Sequence, residues 1–169
     1  RSGPACARFQ PMHRMLALTV AVMLAGPAWA QYKVVGPDGK VTLYIGAASG
    51  GVWKSEDGGT TFQPIFDKQP VQSIGAVALD PTNKQTVWVG TGEGNPRNSL
   101  NIGEGIFKSL DAGKTWKRMG LEKTRNIHRV IIDPNNPDNT IWVGTGEPWT
   151  RNSVSIGDGI YKSTDGGLN

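Results

Sequence analysis

Two loops carry the residue types that could do chemistry. EGNPRNSLNIGEG (Glu93 to Gly105) and EPWTRNSVSIGDG (Glu147 to Gly159) share Glu93/Glu147, Arg97/Arg151, Asn98/Asn152, Ser99/Ser153 and Glu104/Asp158, and they differ at Asn95 against Trp149. Paired carboxylates can act as acid and base in breaking a glycosidic bond, and a tryptophan such as Trp149 can stack on a sugar ring. Such a pair needs two different environments, however, and a set repeated identically points to structure instead. Arginine, asparagine and an aromatic on a long loop also suit recognition of a peptide or a glycan. In a third reading Arg97 and Arg151 brace the loop by pairing with Glu104 and Asp158, or with Glu93 and Glu147. The ligand-binding candidates are therefore Glu93, Arg97, Asn98, Glu147, Trp149, Arg151 and Asn152. No residue is assigned a catalytic role.

The elements that position these loops are repeats. Ser55, Ser109 and Ser163 stand 54 residues apart, each opening the pattern Ser-x-Asp-x-Gly. Self-similarity at such a period marks a repeat architecture. The first copy holds Ser55, Asp57, Gly59, Thr61 and Phe62, and the second Ser109, Asp111, Gly113, Thr115 and Trp116. The third holds Ser163, Asp165 and Gly167, and reaches Asn169 where a threonine would stand. The physical expectation is a strand reversal. The aspartate accepts backbone N–H groups two or three residues on, the glycine takes a positive φ, serine and threonine bond across the loop mouth, and the aromatic lays its ring on the sheet. These positions are expected to be structural rather than ligand-binding.

Between the turns the strands are legible. Ile74 to Leu79 and Arg129 to Ile132 are apolar runs closed by Asp80-Pro81 and Asp133-Pro134, and TVWVGTGE (Thr86 to Glu93) and TIWVGTGE (Thr140 to Glu147) are rich in β-branched and aromatic residues. With GIFKS or GIYKS and TWKRMGL this makes four short strands per repeat, A to D of a β-propeller blade, in an all-β chain. About two and a half blades are present. Strand B, apolar on both faces, is expected between two neighbouring blades. Alternating strand direction puts the A–B and C–D loops on one face and the B–C and D–A loops, with the chemistry-bearing residues, on the other. No strand A is obvious between Gly39 and Thr42, and Tyr32 to Val35 is expected to latch the last blade of a complete ring. Since a ring needs at least four blades, residues 31–169 are read as the N-terminal part of a longer propeller, whose missing blades would be partners of these.

The string S-x-D-x-G-x-T-W/F resembles the Asp-box, or BNR repeat, of bacterial sialidases, xyloglucanases and the sortilin receptors. LYIGAASGGVWKSEDGGTTFQPIFDKQPVQSIGAVALDP, followed by VWVGTGEGNPRNS, is similar to bacterial sortilin-like BNR-repeat propellers often called glycosyl hydrolases. The resemblance covers nearly all of residues 32–169. It implies an exported β-propeller that binds a peptide, protein or carbohydrate ligand through its B–C loops. The alternative it carries is a sialidase- or xyloglucanase-like hydrolase with catalytic groups partly in other blades. The F/Y-R-I-P motif of sialidases is absent from this sequence.

Residues 1–11 read as upstream translation and residues 12–30 as a signal peptide. Its h-region, Met15 to Gly26, is too short for a permanent span, and Ala28-Trp29-Ala30 supplies the cleavage signal before Gln31. The mature chain is expected to be periplasmic or secreted, with no membrane span. The leader takes Arg1, Arg8 and Arg14 with it and leaves 15 basic against 14 acidic residues. So even a charge argues against nucleic acid as a partner. The only cysteine, Cys6, goes too, and His128 becomes the only histidine. A lone histidine is no metal site, and GTGEGN opens no helix to cradle a phosphate, so neither metal nor cofactor is expected.

Overall fold

The computed structural model of the chain describes residues 30–35, 39–94, 100–148, 154 and 157–168. Among these residues there are eleven strands and no helix. They are β1 (Ala30–Val35), β2 (Val41–Ala47), β3 (Gly51–Ser55), β4 (Gln63–Pro64), β5 (Ile74–Leu79), β6 (Val87–Thr91), β7 (Ile106–Ser109), β8 (Lys117–Gly120), β9 (Ile127–Ile132), β10 (Ile141–Thr145) and β11 (Ile160–Ser163). Three antiparallel sheets follow one another along the chain, with orders β1-β2-β3-β4, β5-β6-β7-β8 and β9-β10-β11. Each is an up-and-down meander, the topology of a propeller blade.

The first blade does have a strand A. β1 pairs with β2 from Ala30↔Gly46 to Val35↔Val41. Tyr32 to Val35 therefore lies in the first sheet and not in a latch for a distant blade. The sequence hid this because the turn into β2 carries no Asp-Pro signal. The first sheet also lacks a long loop between its second and third strands, since β2 passes to β3 through Ala47–Gly51 alone.

The blades stack face to face around two cores. Tyr44, Val52, Phe66, Ile74, Val77, Val87, Val89 and Phe107 form the core between the first two sheets. Ala76, Ala78, Trp88, Ile106, Ile127, Val130, Ile141 and Val143 form the core between the second and third. All five residues of β6 are buried, because a sheet lies on each side of it. In β10 the same pattern becomes one face only: Ile141 and Val143 are buried while Trp142 is 41% exposed. The two strands have nearly the same sequence, and they differ in that a sheet covers the second face of β6 and none among the described residues covers that of β10.

The blades meet closely where glycine allows it. Gly75 sits at a bulge, skipped in the β5–β6 register between Ile74 and Ala76. A Cβ there would lie 2.3 Å from the Ile127 carbonyl oxygen and 2.4 Å from that of Gly92. Two backbones occupy the space that a side chain would need.

The three serine-led turns are built alike, and their wiring meets the expectation only in part. In the second turn the Ser109 hydroxyl, not the aspartate, accepts the N–H groups of Asp111 (3.2 Å) and Gly113 (2.8 Å). Ser109 Oγ in turn donates to Asp111 Oδ1 at 2.8 Å. Asp111 reaches four residues on, accepting the Thr115 N–H at 2.8 Å and its hydroxyl at 2.6 Å. Ser55, Asp57, Gly59 and Thr61 repeat this, as do Ser163, Asp165 and Gly167 up to Leu168, whose N–H reaches Asp165 Oδ1 at 3.0 Å. Two successive residues take positive φ in each turn: Gly58 and Gly59, Ala112 and Gly113, Gly166 and Gly167. Trp116 does not lie on its own sheet. Its Nε1 donates to the Ile65 carbonyl at 2.7 Å and its ring meets Phe66 edge-on at 5.0 Å, both in the preceding blade.

Candidate functional site

The loops fall on two faces, and backbone hydrogen bonds show which belong together. The N–H of Ala112 reaches the Gln85 carbonyl and that of Gly166 reaches Asn139, so the serine-led turns share a face with the β5–β6 and β9–β10 loops. At the other end the Gly92 N–H bonds to Ser73, Gly103 to Arg125 and Gly146 to Asn126. The β6–β7 and β10–β11 loops therefore lie against the segments that enter β5 and β9.

Each of these two loops is closed by a threonine at the end of the strand before it. Thr91 donates its hydroxyl to the Gly105 carbonyl at 2.6 Å and accepts the Glu104 N–H at 2.8 Å. Thr145 does the same with Gly159 at 2.8 Å and Asp158 at 2.9 Å. Fully buried, Thr91 gives its loop a fixed neck. The sequence signal was there, in the recurrence of T-G-E at the repeat spacing, but it reads first as strand.

The candidate residues separate once they are placed. Glu93 is 2% exposed and holds the loop together: its N–H donates to the Asn101 carbonyl at 3.0 Å and its Oε2 accepts the Asn101 N–H at 3.4 Å. Asn126, also buried, donates from Nδ2 to the Glu93 carbonyl. Asn101 continues outward to Ser49 Oγ at 2.8 Å, linking the loop to the first blade. Glu93 is thus a brace, where the residue type alone had made it a ligand contact. Glu147 is half-buried. Arg97, Asn98, Trp149, Arg151 and Asn152 lie outside the described residues.

Arg97 and Arg151, the expected braces, lie outside the described residues, and two of the carboxylates expected to pair with them have the following partners among the described ones. Glu104 pairs with Arg118 of β8 at 2.7 Å. The exposed Asp158 carboxylate accepts the Tyr161 hydroxyl at 2.5 Å, which raises the pKa of that phenol. Asp158 also lines a cleft of about 250 Å³ with Lys123, Thr124, Arg125, Thr145, Gly146 and Gly157. This cleft, open between a β10–β11 loop and the entry to β9, brings a carboxylate and two cationic residues to one place.

His128, in β9, faces the site loop. A Cβ added to Gly94 would fall 1.8 Å from His128 Cε1, so the imidazole packs directly against the loop backbone. Its Nε2 is buried and has no hydrogen-bond partner among the described residues. Burial lowers its pKa to about 4, with the Glu147 carboxylate pulling the other way. Asn126 and His128, two residues apart at the start of β9, are the positioning residues that sequence reasoning missed.

Among the described residues no three His, Cys, Asp or Glu side chains gather as metal ligands, and no helix is long and apolar enough to cross a membrane.

Known proteins resemble this chain in fold and in sequence. It is 27% identical over 149 residues to a xyloglucanase of Acetivibrio thermocellus, a match covering 70% of this chain and 15% of that protein. It is 35% identical over 104 residues to a xyloglucanase of Hypocrea jecorina, covering 56% of this chain and 11% of the relative. The chain thus spans a minor part of the length of the curated relatives it matches. Among solved structures, a GH74 enzyme of Niastella koreensis superposes with a TM-score of 0.54 at 23% identity, over 72% of this chain and 18% of that one. An ancestral GH74 enzyme gives 0.57 at 19% identity, over 98% of this chain and 25% of that one. These likenesses establish the fold as part of a β-propeller. Residues 50–169 match the Sortilin-Vps10 family, described as "Sortilin, neurotensin receptor 3", and the chain belongs to that family.

Proposed function

We propose that this chain is an arc of a propeller glycoside hydrolase acting on xyloglucan, with the face bearing the β6–β7 and β10–β11 loops turned to the polysaccharide. The observation that carries this is the match to xyloglucanases along most of the chain. The geometry supports a division of labour. Glu93 is buried and Glu104 is held by Arg118, so both serve structure, and Asp158, exposed in its cleft, is the carboxylate this arc offers to substrate. A glycosidase needs two carboxylates on either side of the scissile bond; this face carries Asp158 and the half-buried Glu147, and further groups would come from other blades. Trp149 and Arg151 supply stacking and hydrogen bonding to sugar. The serine-led turns on the opposite face are Asp-boxes that hold the blades. The leader, residues 12–30, exports the chain, and sequencing of secreted material should begin at Gln31.

Affinity electrophoresis in gels containing xyloglucan tests the reading. The chain should be retarded, Trp149→Ala and Arg151→Ala should migrate freely, and Asn83→Ala and Asn136→Ala, on the opposite face, should be retarded as before. Retardation lost in either asparagine variant and kept in Trp149→Ala would place the site on the wrong face. The second reading, a binding module for peptides, is favoured by the sortilin family match. It predicts no retardation by xyloglucan and capture by an immobilised peptide that competes through the same Trp149 and Arg151.

A further inference from the structure

The two chemistry-bearing loops are bonded to each other through the segment that lies between them. Asn126, directly before Ile127 of β9, holds both. Its Nδ2 donates to the carbonyl of Glu93, where the β6–β7 loop begins, and its own carbonyl accepts the Gly146 N–H, where the β10–β11 loop begins, at 2.9 Å. Beside it the Arg125 carbonyl accepts the Gly103 N–H at 2.7 Å. The fit is close, since a Cβ on Gly92 would lie 2.7 Å from Asn126 Cα. Ser73 stands at the same place before Ile74 of β5, and its carbonyl accepts the Gly92 N–H as that of Asn126 accepts Gly146. Its shorter side chain stays within its own blade, donating to the Asn101 carbonyl at 3.2 Å. The longer asparagine reaches back across the seam.

Between the first and second blades Asn101 makes the crossing. Its backbone is locked to Glu93 in both directions, accepting the Glu93 N–H at 3.0 Å and donating to Glu93 Oε2 at 3.4 Å. Its Nδ2 donates to Ser49 Oγ, in the turn between β2 and β3, at 2.8 Å. A continuous path thus crosses the face, from Ser49 through Asn101, Glu93 and Asn126 to Gly146. Bonds in such a chain polarise and strengthen one another, and Glu93 and Asn126, each 2% exposed, are shielded from water at its centre. The path uses neither the outer face of the first sheet nor that of the third.

We propose that Asn101 is a positioning residue for the β10–β11 loop, one blade away: through Glu93 and Asn126 the two loops open and close as one unit. Proteins open locally in contiguous cooperative units, and these loops share their anchors. What this does for a ligand rests on the xyloglucan reading. A sugar chain held by one loop meets the other at a spacing fixed in advance, which lowers the cost of binding.

Native-state amide exchange on the full chain tests the coupling without any ligand. Asn101→Ala removes the bond to Ser49, in the first blade. The amides of Glu93 and Gly146 should then exchange faster by the same factor, about fivefold for one hydrogen bond. The Ala112 amide, bonded to Gln85 on the opposite face, should keep its rate. Asn126→Ala should speed Glu93 and Gly146 further, and again equally; if circular dichroism shows it unfolded, the exposed Asn101 decides alone. Acceleration at Glu93 without Gly146 would mean that the loops open independently, and no change at either would mean that the crossing carries nothing. Both results overturn the proposal, as does equal acceleration at Ala112, the sign of general loosening. In affinity electrophoresis Asn101→Ala should be retarded by xyloglucan less than the wild type, and equal retardation would overturn the positioning role. A wild-type chain that is not retarded at all would overturn the xyloglucan reading alone, since the exchange test needs no sugar.

Discussion

Trp116 belongs to the second blade by sequence and to the first by contact, since its Nε1 donates to the carbonyl of Ile65 at 2.7 Å. Its ring stands edge-on to Phe66, which in turn stands edge-on to Phe107 at 5.3 Å. The residue that ends one turn is thus the clamp between two blades. Trp116→Ala should lower the stability of the chain by about 3 kcal/mol, the low end for loss of a packed tryptophan. Trp116→Phe keeps the ring but strands the carbonyl, at about 1 kcal/mol. Phe62 holds the same place in the first turn, with no blade before it among the described residues, and is 36% exposed. Phe62→Ala should therefore cost about 0.5 kcal/mol or less. Urea unfolding of the three variants gives the order, and equal losses at Phe62 and Trp116 would refute the clamp.

Acid should loosen the turns at a defined point. The Thr115 hydroxyl and N–H hold the Asp111 carboxyl at about 2, below its usual 3.8, and Thr61 does the same for Asp57. A depressed carboxylate stabilises the fold fully above the unfolded pKa and ceases to do so as pH falls through the folded one. Asp111→Asn should accordingly melt below the wild type at pH 5, and the gap should close by pH 2 (the window runs from 3.8 to about 2). A gap that persists at pH 2 would mean that the amide perturbs the turn by shape rather than by charge.

Fold and site were not equally legible in the sequence. The Ser-x-Asp-x-Gly repeat and the Asp-Pro turns mark blade edges because each depends on local hydrogen bonds between residues a few positions apart. β5 is expected and observed at Ile74–Leu79, since its pattern is fixed by burial alone. The internal wiring of the turn was misread, because serine and aspartate are equally good acceptors on paper and only the positive φ at both Ala112 and Gly113 brings those N–H groups to Ser109. β1 escaped notice because Gly36-Pro37-Asp38-Gly39 is a turn signal of another kind than the Asp-Pro that closes β5 and β9. The site was harder still. Glu93, Asn126 and His128 gain their roles from contacts across blades, about 30 residues apart in sequence. A loop glutamate that recurs in both repeats reads the same whether it meets solvent or a neighbouring N–H.

Backbone proximity makes one glycine irreplaceable. Gly75→Ala would drive a methyl group between the carbonyls of Ile127 and Gly92, neither of which can rotate away. Overpacking of this kind costs about 1–3 kcal/mol or more, and here it would also part the second blade from the third. Gly39 is the comparison: its φ is 75° but nothing among the described residues lies within 4 Å of its Cβ position. Gly39→Asn should be tolerated, because asparagine adopts left-handed backbone at little cost. Thermal melting should fall sharply for the first variant and little for the second, and similar losses for both would show that φ matters more than space.

His128 should make the loop face sensitive to mild acid. Its ring is packed against Gly94 with Nε2 buried, and burial lowers its pKa to about 4 from 6.5. Between those values the unfolded chain binds a proton that the folded chain refuses, so stability falls as pH drops from 6.5 towards 4 and levels off below. The Glu147 carboxylate opposes the shift, and the Asp158 and Glu104 carboxylates lie on the same face. His128→Phe keeps an aromatic ring against Gly94 and removes the proton site. Its melting temperature should stay level from pH 7 to pH 5 where that of the wild type declines. Parallel curves for the two proteins in that range would mean that His128 is not the group responsible. Glu147→Gln refines the test, since removing the opposing carboxylate should push the histidine pKa lower and deepen the wild-type decline towards pH 4.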